Sequence, residues 1–223
     1  MLSWQVGQVK VTRIVEMDLP VPALMVIPQA TPFLERLAEG GWSREAVDTV
    51  VCTHLHVDHV GWNTMLDNGK WVPTFPNARY LIGRREYEFW STHEDEEQKA
   101  MLGDSVKPVF DAGLVQLVEM DHVISPEIRL TPSIGHTPGH VSVMIESEGE
   151  RAVITGDIAH HPCQMAHLDW SFDLFDRKTA ELTRRSRLFV EWANQPILVI
   201  GSHFPDPTAG HIVRDGAAFR FAV

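Results

Sequence analysis

Residues 53–63 read THLHVDHVGWN, a segment that sets His54, His56, Asp58 and His59 within six positions. Imidazole nitrogens suit zinc and other first-row metals, and a carboxylate widens the choice. A strand would send alternate side chains to opposite faces, and a regular helix would spread them around its axis. The spacing therefore predicts a short irregular loop that turns all four groups toward one point. The plainer reading, histidines serving as packing or as a solvated face, does not call for three imidazoles and an aspartate at this spacing.

Three more segments offer ligands. Residues 135–140 read GHTPGH and carry His136 and His140; residues 155–157 read TGD and carry Asp157; residues 201–203 read GSH and carry His203. Each has a glycine beside the polar residue, which lets the backbone turn tightly. TGD alone is more often a turn than a ligand. Four such segments, each following an expected strand, make a joint case for one centre.

The elements that must position these groups follow from periodicity and punctuation. Strands are expected over 8–18, 48–53, 77–83, 114–119, 128–133, 141–146, 152–155 and 196–200. Glu148-Gly149 should turn a hairpin, and a closing hairpin is expected over 213–221 with Asp215-Gly216 near its start. Residues 19–32 hold four prolines and read as an extended connection. Thr31 is the expected N-cap of a helix with Phe33, Leu34 and Leu37 on its apolar stripe, ended by Gly40-Gly41. A short turn is expected over 43–47 and helices over 84–101, 104–112 and 173–194, the last with Leu174, Leu182, Leu188, Phe189 and Trp192 inward. The acidic run at 93–98 reads as a solvated face.

With 223 residues the chain suits one domain, 1–223, large enough for a sizeable core. The formal net charge of −11 and the lack of a basic block argue against nucleic acid and anionic membrane surfaces as partners. No apolar run is long enough for a transmembrane helix, and the first residues lack a signal-peptide pattern. Cys52 and Cys163 are the only cysteines, so a reducing cytoplasm is the expected compartment. Cys52, on the strand entering the histidine loop, reads as a small buried hydrophobe.

The order HxHxDH, GHTPGH, TGD, GSH resembles the metallo-β-lactamase-fold hydrolase superfamily across residues 48–203. The resemblance implies an αβ/βα four-layer sandwich with the site along one edge. The stretch ahead of the histidine loop looks short for the family, between about 22 and 31. Carried over residue by residue, His54, His56 and His136 would hold one divalent cation, Asp58, His59 and His203 a second, and Asp157 would bridge them. His140 is not an implied ligand; a supporting and a purely structural role both stand. Zinc is the first expectation, with manganese, cobalt or iron also accepted by such donors. Two cations about 3.5 Å apart generate a bridging hydroxide near neutral pH, which attacks a carbonyl or phosphoryl centre. Asp58 can then protonate the leaving oxygen.

The implied activity is hydrolysis of an ester or lactone, acyl-homoserine lactone or aryl ester in type. A phosphotriesterase of the methyl-parathion-hydrolase kind, or a promiscuous β-lactam-hydrolysing member, is the alternative. The homoserine-lactonase branch often has a tyrosine three residues after the bridging aspartate; His160 stands there and is a candidate hydrogen-bond donor to the substrate oxygen. That substitution is closer to the arylesterase and methyl-parathion-hydrolase branch. His56 stands where the flavodiiron branch has glutamate, and Asp157 is generally missing from true β-lactamases. A nuclease is disfavoured by charge, and a glyoxalase-type thioesterase by the lack of a C-terminal basic cluster. A non-catalytic binding protein on the same scaffold is the reading from another class. The aromatics Trp62, Trp71, Phe75, Phe89, Trp90, Trp170, Phe172 and Phe175 serve core packing or an apolar pocket. Trp62 and Phe204, near ligand motifs in sequence, are the pocket candidates. Aromatic content and the superfamily allow a homodimer.

Overall fold

A computed structural model describes residues 1–15, 31–171 and 178–223. The proline-rich connection, its shortening near 22–31, Phe172, Phe175 and Leu174 lie outside the described residues.

The strands are β1 (Ser3–Val6), β2 (Val9–Thr12), β3 (Thr49–Cys52), β4 (Thr64–Asp67), β5 (Lys70–Pro73), β6 (Arg79–Gly83), β7 (Val115–Val118), β8 (Ile128–Pro132), β9 (Val141–Ser147), β10 (Glu150–Ile154), β11 (Ile197–Ile200), β12 (Ala209–Asp215) and β13 (Ala218–Ala222). The helices are α1 (Thr31–Glu39), α2 (Val57–Val60), α3 (Arg84–Ser91), α4 (Glu96–Met101), α5 (Lys107–Asp111) and α6 (Lys178–Trp192). Of the two larger sheets, one is parallel, in the order β3-β6-β7, and the second runs β13-β12-β11-β10-β9-β8; β1-β2 and β4-β5 are separate two-stranded pairs.

The layers follow from which face each side chain takes. Along β6, Tyr80 and Ile82 point into the helical layer with Leu37, Val60, Met101 and Val109, while Leu81 points the other way. Burial on both faces explains the unbroken apolar run. Leu81 and Val118 meet Leu130 and Val141 of the second sheet, which forms the middle of the sandwich. The far face of the second sheet packs Val153, Ile197 and Val199 on Leu188, Phe189 and Trp192 of α6. The result is helix, sheet, sheet, helix, the αβ/βα order that the family resemblance implies. Among the described residues no helix is long and apolar enough to cross a membrane.

Several expected elements are corrected. Of the strand expected over 8–18, the structure forms β2, which pairs with β1 in a hairpin reversing at Gly7 (φ 55°) and ends at Thr12; residues 16–18 lie outside the described residues. The hairpin packs Val6 on Ile145 and Ala152, extending the middle layer. The helix expected over 84–101 breaks after Ser91, where Thr92 donates its hydroxyl back to the Glu88 and Phe89 carbonyls. Asp95 then caps α4 by accepting from the Gln98 N–H. The helix expected over 104–112 is a π turn (Leu102–Val106) followed by α5. The hairpin of β4 and β5 was not expected; it turns on Asn68 and Gly69, at φ 50° and 78°.

Candidate metal centre

Strand direction brings the four ligand segments to one edge. Strands β8, β10 and β11 run the same way, since β10 pairs parallel with β11 and antiparallel with β9, which is antiparallel to β8. The segments following all three therefore leave at one rim. The first sheet delivers the HxHxDH segment to the same rim: the Val141 N–H at the start of β9 donates to the Thr53 carbonyl just past β3, at 3.0 Å.

The HxHxDH segment differs from the expected loop in one respect. His54 and His56 lie on irregular backbone, but Asp58 and His59 ride on the single turn of α2, anchored by buried Leu55 and Val60. One helical turn offsets the second pair of groups from the first, so the segment serves two centres instead of one.

Asp157 is the hub. Its carboxylate oxygens lie 3.1 Å from His59 Nε2, 3.3 Å from His203 Nε2, 3.3 Å from His160 Nε2, 3.4 Å from His136 Nε2 and 3.7 Å from His54 Nε2. Asp58 lies 3.5 Å from His59 and 3.4 Å from His203. Three donor sets, His54/His56/His136, Asp58/His59/Asp157/His203 and His136/Asp157/His160, each hold their ligand atoms within 4.8 Å of one another. All seven residues named as ligand candidates are thus brought together, and His160 joins them. In the inner set His54 and His136 are buried, His54 1% exposed, and His56 is half-buried; Asp58 and His203 of the outer set face solvent.

The donors fit divalent cations. His54 Nε2 is buried yet has no hydrogen-bond partner, a costly condition for a polar atom unless it serves as a ligand. Ring nitrogens also face each other at 2.9 Å between His56 and His136 and at 3.2 Å between His59 and His203. Lone pairs converging in this way match the needs of borderline cations.

Burial pushes His56 down to about 4, with His136 adding to the effect, and holds His54 well below the usual imidazole range. Both rings are therefore neutral and ready to ligate near pH 7. Burial pushes the Asp157 carboxyl up, but hydrogen bonds from His160, His203 and His59 outweigh it and hold the group well below the carboxylate range. His203 is raised by its hydrogen bond to Asp157.

His140 supports Asp157 and makes no approach as a ligand. Its Nε2 accepts the Asp157 backbone N–H at 2.9 Å, which leaves the ring proton on Nδ1, 2.7 Å from Ser133 Oγ. The Ser142 hydroxyl, 3.0 Å from Ser133 Oγ, donates to the Thr155 carbonyl. Burial pushes His140 down to about 3.

These shifts set a pH dependence for the metal-free protein. Where the folded pKa is depressed, the unfolded chain takes up the proton first, so stability is present above 6.5 and falls as pH drops toward about 3. His140 alone removes about 1.4 kcal/mol per pH unit across that window. His54 and His56 act in the same direction; His203, with its raised pKa, opposes them. Urea unfolding of metal-free protein should show a lower midpoint near pH 5 than near pH 7, and an equal or higher midpoint near pH 5 would contradict this account.

The two pocket candidates lie elsewhere. Phe204 is 2% exposed in the core under α6, edge-on to Phe221 at 5.2 Å. Gly201 makes room for it, since a Cβ there would sit 2.3 Å from the ring. Trp62 is half-buried and stacks on Phe33 of α1 at 4.5 Å. Among the described residues, apolar groups beside the ligands include Val57, 67% exposed between His56 and Asp58, and Trp90, whose ring meets His56 edge-on at 5.4 Å. The sequence reading also missed Glu86, a buried carboxylate tying the two histidine segments together.

Comparison with known proteins agrees with this geometry. The profile of the Metallo-beta-lactamase superfamily matches residues 24–203. An N-acyl homoserine lactonase of Bacillus sp is 26% identical over 179 residues, 79% of this chain and 65% of the relative. One from Bacillus cereus is 26% identical over 72% of this chain and 58% of its own length. The chain thus spans less than two thirds of the length of these curated relatives. Among solved structures, the hydrolase AbOPH in the beta lactamase superfamily superposes with a TM-score of 0.73 at 26% identity, over 85% of this chain and 68% of that one. AidC, a dizinc quorum-quenching lactonase in complex with a product, superposes with 0.74 at 21% identity over the same shares. With a profile match over most of its length and the ligand segments in the family's order at one rim of a four-layer sandwich, the chain belongs to the Metallo-beta-lactamase superfamily.

Proposed function

We propose that the protein is a metal-dependent hydrolase of ester or lactone bonds, with N-acyl homoserine lactones as its favoured substrate class. The observation that carries the reading is the convergence of five imidazoles on the carboxylate of Asp157, with two flanking donor sets. The relatives named N-acyl homoserine lactonase support the substrate class.

His54, His56 and His136 would hold one cation and Asp58, His59 and His203 another, with Asp157 between, and the bound pair, zinc by first expectation, supplies activated water and a positive centre for the carbonyl oxygen. Asp58 is solvent-exposed and acceptor-rich. It takes the proton of the attacking water and delivers it to the leaving oxygen. His160 lies half-buried between His136 and His203, with ring centroids 5.3 Å from each, and aims Nε2 at the same space. There its Nε2, 3.3 Å from Asp157 before substrate arrives, turns its N–H to the substrate oxygen. Val57 and Trp90 give an apolar rim on the His56 side, suited to an acyl chain.

A phosphotriesterase is the second reading, favoured by His160 standing where lactonases often carry tyrosine. The test is side-by-side assay of an N-acyl homoserine lactone, an aryl ester and an aryl phosphotriester, with zinc-loaded and chelator-treated protein. Lactone should give the highest kcat/KM, and chelation should abolish it. His160→Ala should lower kcat for the lactone by roughly 10- to 100-fold, with KM little changed. A preference for the phosphotriester would move the assignment to the second reading. No turnover of any substrate by protein carrying two ions would end the hydrolase reading.

A further inference from the structure

Glu86 sits in the first turn of α3, 1% exposed, and among the described residues it pairs with no cation. A buried carboxylate without a counter-charge is costly unless its lone pairs are filled. Four donors fill them. Oε1 accepts the Leu55 N–H at 3.1 Å and the Trp90 indole N–H at 2.7 Å. Oε2 accepts the Thr137 hydroxyl at 2.7 Å and the Gly139 N–H at 2.8 Å.

The division between the two oxygens is informative. Leu55 stands between His54 and His56, so one oxygen holds the segment that carries those rings. Thr137 directly follows His136, so the other oxygen holds the segment that carries the third ring. The carboxylate therefore spans the inner donor set without touching any member of it. Trp90 is held by the same oxygen, with its ring against His56 at 5.4 Å. Gly139 lets the two backbones approach this closely, because a Cβ there would lie 2.4 Å from the Glu86 nitrogen.

We propose that Glu86 is a positioning residue that fixes the spacing between the His54/His56 segment and the His136 segment, and so sets the affinity of the inner of the two cation sites. The inference rests on the two-cation reading of the centre. Negative charge is needed for geometric reasons. All four partners donate, and a glutamine amide would turn its own N–H groups toward two of them whichever way it flipped. One segment would then be released. The outer set takes Asp58 and His59 from the turn of α2, past the Leu55 anchor, and Asp157 and His203 from elements with no hydrogen bond to Glu86.

The test is titration of metal-free wild type and Glu86→Gln with cobalt(II), read by the visible spectrum, by bound metal per chain and by chelator competition. Circular dichroism checks the fold. In Glu86→Gln one of the two ions should bind roughly 10- to 100-fold more weakly while the other is unchanged. Thr137→Val, which removes a single donor, should weaken the same ion to a smaller extent, and Thr137→Ser should restore it. That pair keeps the test open if Glu86→Gln fails to fold. Two ions at wild-type affinity in folded Glu86→Gln, or equal weakening of both, would overturn the proposal. No substrate enters the measurement. A chain that binds two ions and hydrolyses nothing would therefore refute the hydrolase reading and leave this one standing.

Discussion

Asp157→Ala is expected to lower kcat on the order of 10³-fold or more and to leave the protein with fewer than two ions per chain. The carboxylate lies within 3.1–3.7 Å of His54, His59, His136, His160 and His203. Its loss removes negative charge from the middle of a ring of imidazoles, and among the described residues no other carboxylate reaches all five. Asp58 reaches only His59 and His203, from the solvent side. Elemental analysis and steady-state kinetics on the same preparation check the prediction. Wild-type kcat in Asp157→Ala, with two ions retained, would refute both the bridging role and the proposed mechanism.

Gly156→Ala should be strongly destabilising, because backbone angle and packing act together there. Gly156 has φ 57°, a conformation that costs a residue with a Cβ about 1–2 kcal/mol. Backbone angle does not decide the matter, since Asn68, Glu148, Asn194 and Thr208 also have positive φ. The deciding term is contact. The new methyl would lie 2.6 Å from His140 Nε2, the atom that accepts the Asp157 N–H, and 3.3 Å from Thr53 Cβ. His140 is fully buried and held by Ser133, so it cannot swing aside. Overpacking of this kind adds roughly 1–3 kcal/mol, for a total of roughly 2–5 kcal/mol. Urea unfolding measures it, and a loss below 1 kcal/mol would show that the turn relaxes more freely than this packing allows.

What the sequence made legible was what local spacing encodes. HxHxDH, GHTPGH, TGD and GSH each declare a ligand within a few residues, and each follows an apolar run long enough to be recognised as a strand. The four-layer order followed from the family resemblance that these segments carry. Interactions between distant segments were not legible. Glu86 looks like one more acid in a charged helix, because its partners stand 31, 51 and 53 positions away. Phe204 lies next to His203 in sequence, yet the turn at Gly201 sends its ring into the core while the imidazole faces the rim. The helix expected over 84–101 is helical by composition, but Thr92 and Asp95 bind backbone groups locally and divide it. The hairpin at Asn68-Gly69 carried a readable turn signal that no expectation used.

The common direction of β8, β10 and β11 gives the six-stranded sheet two unlike ends. The end opposite the ligand segments carries the chain reversals at Glu148-Gly149 and at Gly216-Ala217, both exposed. Around Gly149 and Gly216 there is open space for an added atom. A fused domain, a surface tether or relocated chain termini would be accommodated there, on the side of the molecule farthest from the reacting groups.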